Sequence, residues 1–310
     1  MNFEQILTNA VAGVSATLSK PGPCRRFAYP ISKETAAKLL AQAYRVEVEA
    51  RGYTYAPAQD TAAHLTAVAV WLTDATRKPS LLLYGSTPGT GKTTTAQAVK
   101  RMAEALHASM LASIEAAKGS IWEQQQAHFA GWPAIPWPEG LSPEELPAPD
   151  GMRKRREWCE THPEEAAIIE EKEAEKRAAI DAWRQPFERE IEAAQARADG
   201  LAGMLPRYVT AQARADMVKG RDFAGYYGFV NASFLILDDM GTEPVTVKDF
   251  GNEVLPVTEL LLKRYEARRP TIITTNLSET AIANTYGPRI LDRLNEICNK
   301  IPYGGNSFRR

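Results

Sequence analysis

The sequence predicts an α/β fold, a parallel sheet covered by helices on both faces, and three observations carry that prediction. The stretch LLLYGSTPGTGKTTT, residues 81–95, runs an apolar strand into a glycine-rich turn and then into helix formers. A second apolar run, FLILDD from residue 234, ends in two carboxylates. A third, TIITTN from residue 271, ends in an amide. Near-continuous apolar strands that alternate with helical stretches suit a sheet buried on both faces.

Taken in order, residues 1–60 predict a small helical module, with helices near 3–18 and 33–51 around the turn-rich KPGPCRRFAYP and Ser32 as an N-cap. Arg25 and Arg26 beside Phe27 and Tyr29 read as an ordinary connecting loop. From residue 61 the pattern is helix 61–77, strand 81–84, glycine turn and helix 92–107. Later strands fall at 207–210, 234–237, 271–275 and 297–302.

An insertion at about 108–203 interrupts this 61–310 domain. Its part 132–151 is too proline-rich for a helix or central strand, and 153–200 reads as a long helix or helical hairpin. Ile168, Ile169, Ile180, Trp183 and Ile191 give it only a thin apolar stripe, and Pro186 should bend or end the helix.

With 310 residues and a net charge of -1, the chain is large enough for one domain with insertions or for two, and it is not a basic nucleic-acid-coating protein. The three cysteines, Cys24, Cys159 and Cys298, lie far apart, which predicts a reduced cytosolic protein. Cys159 and His162 have a metal-site spacing, but no second pair accompanies them, so no metal beyond Mg²⁺ is expected. The opening residues lack the pattern of a signal peptide, and the most apolar run, 62–72, is about half a membrane span. A cytoplasmic location without membrane attachment is the expectation.

The glycine turn is a candidate phosphate cradle. Pro88, Gly89, Thr90, Gly91, Lys92, Thr93 and Thr94 would supply inward N–H groups, a lysine for the β- and γ-phosphates and a hydroxyl for Mg²⁺. The strict spacing GxxxxGKT requires glycine six residues before Lys92, where this chain has Ser86, with Gly85 one place earlier. The loop is therefore expected to be one residue longer at its start. Asp238 at the tip of the second strand is a candidate Mg²⁺ residue, and Asp239 a candidate base or water-positioning group. Asn276 could sense a γ-phosphate, and Arg289 and Arg293 fall four apart on one helix face, where an arginine could reach a neighbour's nucleotide. Lys219 and Arg221 near Phe223, Tyr226, Tyr227 and Phe229 suggest a surface for DNA, single strands included, although packing of those rings is as reasonable.

The order GTGKT, LILDDMGTEP, RYEARRP, TIITTNL, YGPRILDRL and the ending GGNSFRR resembles the AAA+ ATPases of the DnaC-like helicase-loader group, which includes the IstB-type transposition helpers. The resemblance covers roughly residues 61–107 and 204–310. It implies a P-loop AAA+ three-layer α/β/α fold, ATP and Mg²⁺ as cofactors, and ATP hydrolysis. It further implies Lys92 and Thr93 as Walker A contacts, Asp238 and Asp239 as the Walker B pair, Asn276 as sensor 1, Arg293 as the finger and Arg309 as sensor 2. A replicative helicase as partner, docked through the module of residues 1–60, and self-association into a ring or spiral follow from the same resemblance. Asp239 stands where many of these proteins have glutamate, which implies slow turnover. Two alternatives remain open: an IstB-like transposition helper, and an ATP-gated scaffold that binds through its helical insertion.

Overall fold

In a computed structural model, residues 28–56, 59–133, 135, 149–250, 252–305 and 307–308 are described. The expected helix at 3–18, the loop residues Cys24 to Phe27, most of the proline-rich stretch and Arg309 lie outside them. The chain divides into two units, Met1–His107 with Leu201–Arg310, and Ala108–Gly200.

In the first unit five strands form one parallel sheet: β1 (Ser80–Tyr84), β2 (Arg207–Thr210), β3 (Leu235–Met240), β6 (Thr271–Thr275) and β7 (Cys298–Pro302). Their spatial order is β2-β3-β6-β1-β7. Every residue of β6 and the first four of β1 are buried. Since successive strand side chains point to opposite faces, unbroken burial requires cover on both. Leu82, Leu235, Leu237 and Ile273 pack on one face with Val257, Leu260, Ile282, Ile290 and Leu294. These last come from α8 (Pro256–Glu266), α9 (Glu279–Tyr286) and α10 (Pro288–Ile297). Leu81, Leu83, Ile236 and Ile272, alternating with the first set, are equally buried on the other face. The α/β class with a parallel sheet is therefore as the sequence predicts.

The segment before the sheet belongs to the same unit. Helix α1 (Lys33–Glu49) starts at Ser32, whose Oγ accepts the Thr35 N–H at 3.1 Å, and it buries Ala36 and Leu40 completely. It packs on α2 (Gln59–Thr73). Tyr29 ties the entry down twice, its N–H donating to Leu72 O at 3.0 Å and its hydroxyl to Met204 O at 3.1 Å. After β2 come α6 (Ala211–Lys219) and α7 (Phe223–Asn231), and after β3 a small antiparallel hairpin, β4 (Val247–Asp249) with β5 (Asn252–Val254). Arg264 of α8 is buried beneath these elements. Its guanidinium donates to Thr271 Oγ1, Pro270 O and the carbonyls of Phe229, Val230 and Ala232 at 2.6–3.1 Å, so it caps the end of α7.

Helix α3 (Lys92–Phe129) runs far beyond the expected end at 107 and carries the chain into the second unit. That unit also holds α4 (Pro149–Thr161) and most of α5 (Pro163–Ala202). Pro186 does not end α5, which runs on through it to Ala202. A proline removes one N–H, and here aromatic packing spans the gap: Trp183 lies 4.8 Å from Phe187 and 6.3 Å from Phe129, centroid to centroid. Of the apolar stripe, Ile169 is buried and Ile168 half exposed. No helix among the described residues is long and apolar enough to cross a membrane.

Candidate nucleotide site

The sheet order sets the site. Because β6 lies between β1 and β3, the ends of three neighbouring strands deliver the glycine turn, Asn276 and the Asp238–Asp239 pair side by side. A cavity of about 760 Å³ opens there, a size suited to a nucleotide. Pro88 through Thr94, Asp239 and Asn276 all line it.

Gly85 explains the irregular loop. A Cβ on it would lie 1.9 Å from Tyr303 O, so the residue must be glycine for the chain after β7 to pass. That chain is held by Tyr303 N–H donating to Tyr84 O at 2.7 Å. Ser86, at the position where the strict pattern has glycine, is exposed. The extra residue therefore belongs to strand packing. The part that faces the cavity has its own constraint: Gly91 has φ +95°, and a Cβ there would meet the Tyr44 hydroxyl at 2.4 Å.

Lys92 is buried, and its ammonium donates to Gly85 O and Thr87 O at 3.0 Å each and to Thr90 Oγ1 at 3.2 Å. Burial pulls its pKa below the usual lysine range, and the charge of Asp239 opposes that shift. Thr93 Oγ1 donates to Asp238 Oδ1 at 3.0 Å, joining α3 to β3. A hydroxyl and a carboxylate so placed are the hard oxygen donors that Mg²⁺ takes, and glycines in the loop leave room for phosphate, so these residues fit both groups.

Asp238 is almost fully buried and accepts two further bonds, from Tyr208 to Oδ2 and from Thr274 to Oδ1, both at 2.5 Å. Burial, followed by the hydrogen bond to the Asp238 carboxylate, raises the Tyr208 pKa far above its ordinary value, so the hydroxyl remains a donor. Between Leu237 and Met240 the β3–β6 register slips, with Leu237 opposite Ile273 and Met240 opposite Thr275. Asp238 and Asp239 thus share the single position Thr274, as in a β-bulge, and Asp239 takes the left-handed φ of +54°. The bulge turns Asp239 toward the cavity while Asp238 keeps its buried bonds. Beyond it, Glu243 accepts Gly241 N–H at 2.9 Å and the hydroxyl of Tyr286.

The remaining candidates lie elsewhere. Arg293, on α10, does not line the cavity; its guanidinium stacks 4.6 Å from the Tyr265 ring centroid. Arg309 is outside the described residues, but its neighbour Phe308 lines the cavity and donates its N–H to Gly89 O at 3.0 Å. Lys219 lies 3.5 Å from Asp216, and Arg221 sits 3.7 Å from Asp249 and 3.8 Å from the Phe250 ring centroid. Phe223, Tyr227 and Phe250 are exposed nearby, whereas Tyr226 is buried against Arg214. Among the described residues no cluster of three or more His, Cys, Asp or Glu could hold a metal.

Sequence reading missed Tyr208, Thr274 and the cavity wall Tyr44, Val48, Arg51, Tyr53 and Tyr55. Thr274 had a signal, since a hydroxyl inside a wholly buried strand needs a partner; the wall had none.

No family model and no curated protein matches this chain. Solved structures are similar to it. The crystal structure of the DnaC helicase loader is 15% identical, with 81% of this chain and 93% of that chain covered and a TM-score of 0.38. The crystal structure of the DnaI is 20% identical over 38% of this chain and 65% of that one, with a TM-score of 0.27. The doubly covered parallel sheet with its glycine loop defines the fold here independently of either likeness.

Proposed function

We propose that the chain is a Mg²⁺-dependent ATPase of the AAA+ kind that serves as a loader for a replicative helicase. The observation that carries the nucleotide reading is the convergence of Lys92, Thr93, Asp239 and Asn276 on one cavity at the ends of three adjacent strands. When bound, Mg²⁺ neutralises charge on the phosphates. Lys92 binds the terminal phosphates, Thr93 and Asp238 hold the ion, Asp239 orients water, and Asn276 positions the γ-phosphate end. The loader role draws its support from the motif order, as do Arg309 as a second phosphate sensor and DNA contact through Lys219, Arg221 and Phe223.

Arg293, outside its own cavity, is the residue that would complete a neighbour's site and so couple hydrolysis to assembly. Lys92→Ala should abolish ATP binding, and Arg293→Ala should bind ATP without turning it over. Mixing the two variants should restore hydrolysis, because each supplies what the other lacks. Full activity of Lys92→Ala would refute the nucleotide reading; unrestored mixtures would refute the shared site. Purified with its cell's replicative helicase, the chain should co-elute in one nucleotide state only.

A scaffold reading draws on the second unit, where Met110, Ile114, Ile121, Phe187 and Ile191 line an apolar groove of about 380 Å³. Deleting residues 133–203 tests it. Helicase binding and ATPase unchanged by the deletion would dismiss the scaffold.

A further inference from the structure

The phosphate-binding motifs line only one end of the cavity. The other end is built by residues from before the sheet: Tyr44 and Val48 of α1, then Arg51, Tyr53 and Tyr55 in the turn that follows. None belongs to a motif, and the turn is anchored. Tyr44 is buried beneath Gly91 and meets Tyr55 edge-on at 6.1 Å between centroids.

Arg51 is the charged group at this end. One arm of its guanidinium donates to Thr94 Oγ1 at 2.6 Å and the other to Gln97 Oε1 at 3.0 Å. Both acceptors are neutral. The nearest carboxylate, Glu47, reaches Arg51 only at 4.0 Å, because its other oxygen is held by Arg101 at 2.6 Å. A cation two-thirds shielded by protein, with weak charge compensation and facing a cavity, is a site for an anion.

Position decides which anion. Lys92 opens α3 and takes the terminal phosphates; Thr94 is two residues further along the first turn, where Arg51 bonds it. A phosphate beside Thr94 is the one joined to the nucleoside. We infer that Arg51 recognises the α-phosphate of the bound nucleotide, and that Tyr53 and Tyr55 flank its base, so that this end of the cavity is a nucleoside 5′-monophosphate subsite. The inference rests on the nucleotide reading above. It also makes the turn after α1 part of the ligand contact, so a partner that moved α1 would change nucleotide affinity.

The test is titration of the full chain with ATP, ADP and inorganic pyrophosphate, beside steady-state hydrolysis. Arg51→Ala should weaken ATP and ADP equally, by about tenfold, and leave pyrophosphate, which spans only the two terminal phosphates, unchanged; KM should rise by the same factor with kcat retained. Arg51→Lys keeps the charge without the fork and should weaken both nucleotides together by a smaller factor, which preserves the test if the alanine variant does not fold. Unaltered nucleotide affinity in both variants overturns the inference, as does pyrophosphate weakened in step with ATP. A wild-type chain that binds pyrophosphate and no nucleotide overturns the subsite alone; one that binds neither overturns the nucleotide reading beneath it.

Discussion

Thr274 closes the bulge at Asp239 with one hydroxyl, which accepts the Asp239 N–H at 2.9 Å and donates to Asp238 Oδ1 at 2.5 Å. An extra residue in a strand leaves a backbone group without its ladder partner, and here that group finds the side chain of the residue opposite. The two carboxylates are thereby separated in role: one buried and bonded, one turned toward the cavity.

Thr274→Val keeps shape and strand propensity but removes both bonds. Leaving a buried N–H unpaired and a carboxylate short of one donor should cost about 1–3 kcal/mol, read by urea unfolding. On the ATPase reading, hydrolysis should fall further than ATP affinity, because Asp239 loses its orientation while Lys92 keeps its bonds. Affinity lost in step with turnover would mean that the bulge supports binding rather than catalysis.

Asp239 adopts φ +54°, a conformation that asparagine tolerates at least as well as aspartate. Asp239→Asn should therefore fold normally, retain ATP binding and lose about a hundredfold in turnover, the usual worth of a positioned base. Asp239→Gly should lose as much activity while relieving backbone strain. Thermal unfolding of the pair separates the two effects: a glycine variant no more stable than the asparagine one would show that the turn carries no strain.

The three central strands were legible because each is a short apolar run with a chemical stop: Gly85, Asp238 or Asn276. Register was not. In β3 both faces are buried, so an added residue leaves the apolar pattern intact and the bulge invisible. The length of α3 was hidden for another reason. Past His107 its sequence is alanine-rich and polar, with a helical period too weak to mark an end. Lys92, Asp239 and Asn276 were legible as strand-end chemistry, whereas Arg51 and Tyr55 lie in a turn whose residues announce nothing until α1 packs on α2.

Gly85 and Ser86 make opposite predictions. Gly85→Ala drives a Cβ into the backbone carbonyl of Tyr303, which cannot retreat without breaking the Tyr303–Tyr84 bond. Such overpacking should cost about 3 kcal/mol. Ser86→Ala, on an exposed residue, should stay within about 0.5 kcal/mol, although Ser86 occupies the position that the strict loop pattern reserves for glycine. Equal losses at both positions in denaturant titrations would refute the assignment of Gly85 to strand packing.

His64 makes the stability of the first unit depend on pH. Its ring stacks on Tyr303 at 4.0 Å between centroids, and burial lowers its pKa from 6.5, opposed by a bond to Pro302 and the charge of Asp60. A histidine with a depressed folded pKa binds its proton more readily when unfolded, so unfolding takes up protons and stability rises with pH. The contribution of neutral His64 is complete above about pH 7 and is lost as pH falls through 6.5 toward the lowered value. His64→Phe retains a flat ring against Tyr303 and removes the titration. The difference in unfolding free energy between wild type and variant, measured from pH 5 to 8, should therefore move steadily against the wild type as pH falls. A difference that is constant across that range would mean that His64 titrates in the folded chain as it does in the unfolded one.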